Sequence, residues 1–204
     1  MPTLTHFNPL TLSTLSTHTG YSKPYFFSPN PVKVSSSAME VMTDLRFVPA
    51  ATIQAEVDIE TATQKMIVRS VRSLLVVDGA DDVIGILTAR DLLGKRPMDV
   101  MDSFQLDLSK VKVLHVMTAA ADIEVIPLND ILHARVGDIV ETLKNSGRQH
   151  AMVVEEDVFS GKAMIRGIFS ASQIARQLGI GVPMNDLSQT FSEIERAIAN
   201  QALN

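Results

Sequence analysis

Apolar residues recur with the 3.6-residue spacing of an amphipathic helix in two separate stretches of the chain. Ile59, Ala62, Met66 and Ile67 fall at i, i+3, i+7 and i+8, behind an Asp58 placed to cap the helix start. Val136, Ile139, Val140 and Leu143 do the same, and Gly147 suits the left-handed residue that ends a helix. After each helix the pattern changes to short apolar runs. Leu74 to Val77 and Val83 to Leu87 flank Asp78-Gly79-Ala80-Asp81-Asp82, which carries an Asp-Gly turn signal. The second hairpin has a longer polar loop, Glu155 to Lys162, around Gly161. A further short helix is expected from Thr88 and another from Ser170, so each unit reads strand, helix, strand, strand, helix.

The two units are repeats of each other. Val41-Met42-Thr43 recurs as Val116-Met117-Thr118, and Leu74-Leu75-Val76-Val77 as Ala151-Met152-Val153-Val154. Gly85-Ile86-Leu87-Thr88-Ala89-Arg90-Asp91 is echoed by Gly167-Ile168-Phe169-Ser170-Ala171-Ser172-Gln173. The blocks keep their order, and their spacings differ only by short insertions. Neither unit could bury both faces of so small a sheet alone, so the two are expected to pack on each other. The expected fold class is α+β, with two tandem β-α-β-β-α repeats related by a pseudo-two-fold axis. The repeats occupy 38–94 and 113–180, joined by a surface connection at 95–112 in which Pro97 and mixed charges leave room for one helical turn.

Two segments lie outside the repeats. Residues 1–37 are rich in Ser, Thr, Pro and Asn, with no acidic residue before Glu40 and no Arg before Arg46. That composition suits a disordered arm or a transit peptide. Against disorder, both tyrosines (Tyr21, Tyr25) and Phe7, Phe26 and Phe27 lie here, and aromatics drive burial, so an arm docked on its own module or a partner's is an equal alternative. Within the C-terminal segment 181–204 a helix is expected over 186–200, with Asp186 as cap and Leu187, Phe191, Ile194 and Ile198 in a stripe that something must cover.

Composition narrows the chemistry. The chain of 204 residues is 46% hydrophobic and 20% charged, with a formal charge of -5 that offers no broad basic field to nucleic acid. It has no cysteine, which excludes thiol nucleophiles, disulfides and zinc-cysteine sites. No apolar run approaches the roughly 20 residues of a membrane helix, and the chain reads as soluble and cytoplasmic. The five histidines, His6, His18, His115, His133 and His150, form no close ligand pair, so no metal site is expected. His150, just ahead of an apolar strand, reads as a hydrogen-bonded structural histidine. Asp81-Asp82 and Glu155-Glu156-Asp157 read as solvated turns, not paired catalytic carboxylates. Neither a Gly-x-x-x-x-Gly-Lys-Ser/Thr loop nor a Gly-x-Gly-x-x-Gly motif is present, and no nucleophile-base-orienter set is visible, so no enzyme is expected.

The paired Val-Met-Thr blocks, the valine-rich strands and the doubled Gly-Ile-x-Thr/Ser-x-x-Asp/Gln motif resemble the cystathionine-beta-synthase (CBS) domain family, whose paired form is called a Bateman module. The likeness covers about residues 38 to 180. It implies a stand-alone tandem regulatory module with two clefts, a homodimer formed through its helices, and AMP, ADP, ATP or S-adenosylmethionine as ligand. It further implies an unidentified regulated protein as partner. Carried onto this chain, Asp91 would accept the ribose hydroxyls and Thr88 would lie by the phosphates. Ala55 and Val57 would line the base pocket, with Arg69, Arg72 and Arg90 as phosphate candidates. An ionised carboxylate is acceptor-only and suits a vicinal diol, whereas Gln173 stands where the second repeat's acid belongs. One good site around Asp91 is therefore expected, with the second cleft of Ser170 and Gln173 empty, degraded or put to other use. The same Thr/Ser-x-x-Asp/Gln spacing is also a helix capping box, and both roles can coexist. The alternative to a sensor is a ligand-free structural scaffold that only dimerises.

Overall fold

The computed structural model describes residues 32–180; the docked or disordered arm and the late helix expected over 186–200 lie outside the described residues, apart from residues 32–37. A short 3-10 turn, Ala38–Val41, leads into β1 (Thr43–Asp44), β2 (Thr52–Gln54), α1 (Ile59–Arg69), β3 (Ser73–Val77), β4 (Val83–Thr88) and α2 (Ala89–Leu93). Then come α3 (Arg96–Phe104), α4 (Val113–Val116), β5 (Thr118–Ala119), β6 (Val125–Pro127), α5 (Leu128–Ile131), α6 (Val136–Ser146), β7 (His150–Glu156), β8 (Ala163–Ser170) and α7 (Ala171–Gln177). The fold is mixed α+β, with two small sheets and helices against them. Among the described residues no helix is long and apolar enough to cross a membrane.

The helices start and stop where the residues dictate. Asp58 accepts the Thr61 N–H at 2.7 Å and caps α1, and Gly147 closes α6 at φ +63°. All four residues of the expected α6 stripe are buried. On α1 the stripe is narrower than expected: Ile59, Ala62 and Met66 are buried but Ile67 is 64% exposed. At about 100° per residue Ile67 lies some 100° around from Met66, beyond the edge of the buried arc.

Each repeat contributes a parallel pair and a hairpin, and each sheet is completed by a strand from the other repeat. The sheets run β2-β3-β4-β5 and β1-β8-β7-β6. Thr43 of β1 pairs with Ile168, and Thr118 of β5 with Ile86, both antiparallel. The approach requires glycine at the receiving position. A Cβ on Gly85 would sit 2.6 Å from the Thr118 carbonyl oxygen, and one on Gly167 would sit 2.5 Å from the Met42 sulfur. The cores are exchanged in the same way. Val41 and Met42 pack with Val136, Ile139 and Phe169, while Val113 and Val116 pack with Ile53, Ala62 and Leu74. Leu75, Ile86 and Met152 form a third cluster drawn from both repeats, which fills the remaining faces as the small sheets demanded.

The connection differs from its expected form. Instead of one surface turn it holds the nine-residue α3, with Pro97 and Val100 buried, and Val111 beyond it fully buried. Pro97 lies in the first turn, where its missing N–H breaks no helical bond, so the residue that suggested a loop instead opens a helix.

Candidate functional site

Two clefts open where the strand-to-helix junction of one repeat faces the exchanged strand of the other. The first lies at the Thr88 junction between β4 and α2. It is lined by Thr88, Arg90 and Asp91 from the first repeat and by Thr118, Arg148 and His150 from the second, with a volume of about 160 Å³. The second lies at the Ser170 junction between β8 and α7. Ser170, Gln173 and Arg176 face Thr43, Arg69 and Arg72 there, and the volume is about 290 Å³.

At the first cleft the capping box and the candidate acceptor are the same groups. Asp91 Oδ2 accepts from the Thr88 N–H at 2.8 Å and from Thr88 Oγ1 at 2.6 Å, while the Asp91 N–H donates to Thr88 Oγ1 at 3.3 Å. Asp91 Oδ1 is ion-paired at 2.8 Å with Arg96, whose Nη1 also donates to the Val116 carbonyl at 2.8 Å and to Thr118 Oγ1 at 3.2 Å. Arg96 therefore ties α3, α2 and the exchanged β5 together behind the cleft. A carboxylate has about four lone-pair sites, so three bonds leave Asp91 one acceptor position, on Oδ1, rather than a pair for a diol.

The second cleft is built differently. Ser170 makes no capping bond; its hydroxyl lies 3.1 Å from that of Ser172. Gln173 Oε1 accepts from Thr43 Oγ1 at 3.1 Å, which fixes the amide against the exchanged β1. Arg69, Arg72 and Arg176 all line this cleft, and among the described residues lining it there is no carboxylate. The first cleft, by contrast, sets Asp91 and Glu124 against Arg90 and Arg148, with Arg148 3.7 Å from Glu124.

The expected site residues thus divide between the clefts. Thr88, Arg90 and Asp91 share one; Arg69 and Arg72 belong to the other, with Ser170 and Gln173. Ala55 and Val57 line neither. They pack against the first-repeat core, and their carbonyls accept from Leu114 at 3.0 Å and Val113 at 2.8 Å. The small residues beside a cleft are Ala50 and Ala51, ahead of β2 rather than after it. The second cleft, expected to be empty, degraded or put to other use, is the larger of the two and the more cationic. Glu155 also departs from its reading as a solvated turn residue. It lies on β7, with Arg166 Nε 3.3 Å and Arg46 Nη2 2.8 Å from its carboxylate.

Several residues in or behind the clefts carried no chemical reading in the sequence. Thr43 and Thr118 were visible as the ends of the repeated Val-Met-Thr blocks, and that repetition is the signal by which they could have been found. Arg96 gave none, because its role depends on how α3 crosses the exchanged strand. At Nδ1, His150 departs from its reading as a hydrogen-bonded structural residue. Its Nδ1 is enclosed without a hydrogen-bond partner among the described residues, and the ring lines both clefts. Burial pushes its pKa down to about 4; the Arg72 guanidinium adds to the depression and Asp91 opposes it. The imidazole is therefore neutral at pH 7.

The comparisons with known proteins agree with this fold. Residues 29–97 match the family model described as the CBS domain. Among curated proteins nothing matches the chain. A CBS-domain containing protein from Agrobacterium tumefaciens has a similar structure, with a TM-score of 0.51 at 17% identity, covering 76% of this chain and 98% of its own. A conserved protein from Pyrococcus horikoshii is similar to the same degree, with a TM-score of 0.51 at 17% identity over 75% of this chain and 99% of its own. At that identity the likeness is one of fold.

Proposed function

We propose, from the match of residues 29–97 to the CBS-domain model and a fold like that of a CBS-domain containing protein, that the chain is a non-catalytic regulatory module binding an adenine nucleotide between its repeats. One observation carries the reading: the Gln173 cleft gathers three arginines with no opposing carboxylate among its described lining residues. Such a surface suits phosphate, which guanidinium groups bind through paired, charge-assisted hydrogen bonds. The cleft's volume of about 290 Å³ is close to the roughly 300 Å³ at which small-molecule sites begin, and Ala50 and Ala51 leave space beside it for a flat base. The Asp91 cleft is the smaller, and its one remaining acceptor position suits a single ribose hydroxyl. Within this reading AMP, ADP or ATP fits the cationic cleft better than S-adenosylmethionine, whose sulfonium would face arginines.

Isothermal titration with adenosine, AMP, ATP and S-adenosylmethionine tests it. AMP and ATP are expected to bind and adenosine to bind much more weakly. Arg72→Ala should weaken AMP by about tenfold or more, the loss of one charge-assisted contact, while Asp91→Ala costs at most about tenfold. If no nucleotide binds below millimolar concentration, the sensing role is wrong. That outcome would favour the ligand-free scaffold, which is supported by the engagement of Asp91 with its own capping box and with Arg96.

A further inference from the structure

His150 is the place where the two clefts meet. It opens β7 and pairs with Ser170, just as Ser73 opens β3 and pairs with Thr88. The pseudo-symmetry of the backbone is kept there and the side chains differ. Ser73 lines only the Gln173 cleft, whereas the longer imidazole lines both. Its Nδ1 is enclosed and has no hydrogen-bond partner among the described residues. A buried polar atom left unpaired destabilises the fold, and such a cost persists where a further group completes the bond. The two charges that act on the ring come from opposite sides: Arg72 lines the Gln173 cleft and Asp91 the other.

We propose that His150 is a ligand-contacting residue shared by both clefts, its single Nδ1 bonding the ligand of one cleft at a time, so that filling one cleft weakens binding in the other. This rests on the reading that a nucleotide binds between the repeats, and adds to it a second occupied cleft and a regulation. A neutral imidazole nitrogen is either one donor or one acceptor, so it cannot serve two ligands at once. The neighbouring charges reinforce the exchange. A phosphate beside Arg72 offsets the positive field on the ring and strengthens its hold on His150 from that side.

The experiment uses AMP as the probe and the whole chain. Arg176→Glu places a carboxylate in the Gln173 cleft and Arg90→Glu places one in the Asp91 cleft, leaving each variant one working cleft. Neither residue is among the charges acting on His150. The imidazole nitrogen resonances of His150 are followed by NMR during titration. The expected result is that the Nδ1 resonance moves on AMP binding in both single-cleft variants. The wild-type chain should take its second AMP about three- to tenfold more weakly than the matching variant takes its only one, the range of one net hydrogen bond. His150→Leu should abolish that difference, and His150→Asn, which keeps a polar atom near the place of Nδ1, should retain part of it. Thermal melting checks that both variants fold. AMP bound in either variant with the resonance unmoved, or a coupling that survives His150→Leu, overturns the proposal while leaving nucleotide binding intact. Absence of AMP binding to any form removes the functional reading itself.

Discussion

The two sheets share a backbone plan and differ in what holds the borrowed strand. In the sheet that receives β5, the residue ahead of the receiving Gly85 is Ile84, and the strand is held by backbone pairing and by Arg96 from outside the sheet. In the sheet that receives β1, the equivalent residue ahead of Gly167 is Arg166, and it is buried. Its Nη1 lies 2.8 Å from Asp44 of the borrowed strand and its Nε 3.3 Å from Glu155 of β7. The repeat therefore keeps a glycine at each receiving position and leaves the other side chains free to diverge. That divergence makes one cleft balanced in charge and the other cationic.

The largest effect expected from breaking this contrast comes from Arg166. Arg166→Leu makes the second sheet like the first, but it leaves Asp44 without its guanidinium partner and Glu155 with Arg46 alone, the two acids' side chains being 13% and 20% exposed. Removing one partner of a buried ion pair costs about 3 to 5 kcal/mol. The low end is expected here, because Nε and Nη1 meet the acids as ion pairs without well-aligned hydrogen bonds. Urea unfolding measures it, and adding Asp44→Asn and Glu155→Gln to the variant should recover much of the loss. A cost below about 1 kcal/mol would show that the cluster does not hold β1.

The receiving glycines sharpen the comparison with a smaller effect. At Gly85 the nearest atom to an added Cβ is a main-chain oxygen, that of Thr118, at 2.6 Å. At Gly167 the nearest atoms all belong to the Met42 side chain. A paired strand cannot step aside, whereas methionine has several rotatable bonds. Gly85→Ala should thus cost about 1 to 3 kcal/mol, the range of overpacked sites, and Gly167→Ala about 1 kcal/mol or less. Thermal or urea unfolding of both ranks them. The reverse order would mean that the Met42 contact is as rigid as a strand.

These contrasts also mark what the sequence made legible. The stripes of α1 and α6, the two hairpins and the repeated glycine motif all have local periods or turn residues, and each is seen in the fold. Ile67, at the margin of its stripe, differs, and so does Glu155, which the second hairpin places on β7 instead of in its loop. The exchanged strands have no such signature, since two residues are too few to show alternation, and their pairing depends on the opposite repeat. Pro97 suggested a loop because its helix-opening role shows only when the following turn packs. The site divided for the same reason. Arg69, Arg72 and Asp91 lie in one repeat and are near each other in sequence. The turn from α1 into β3 nevertheless carries the two arginines to the Gln173 cleft, while the β4 junction carries Asp91 to the other. Ala55 and Val57 were assigned to a pocket from the likeness; their carbonyls pair with α4 and neither residue lines either of the two clefts.

The smallest expected effect separates the two helix junctions. Thr88 Oγ1 is committed to the capping box, accepting from the Asp91 N–H and donating to its carboxylate. Ser170, at the same point of the second repeat, makes no capping bond. Thr88→Ala should therefore lower stability by about 1 kcal/mol, while Ser170→Ala should change it by no more than about 0.5 kcal/mol, both measured by urea unfolding. The comparison reaches function because a hydroxyl already holding its helix must give up a capping bond to contact a ligand, whereas that of Ser170 bonds only the neighbouring Ser172 hydroxyl. Ser170→Ala should accordingly weaken AMP binding while leaving the unfolding midpoint almost unmoved. A Ser170→Ala protein that unfolds as easily as Thr88→Ala would show the hydroxyl to be structural after all, and the functional difference between the two junctions would disappear.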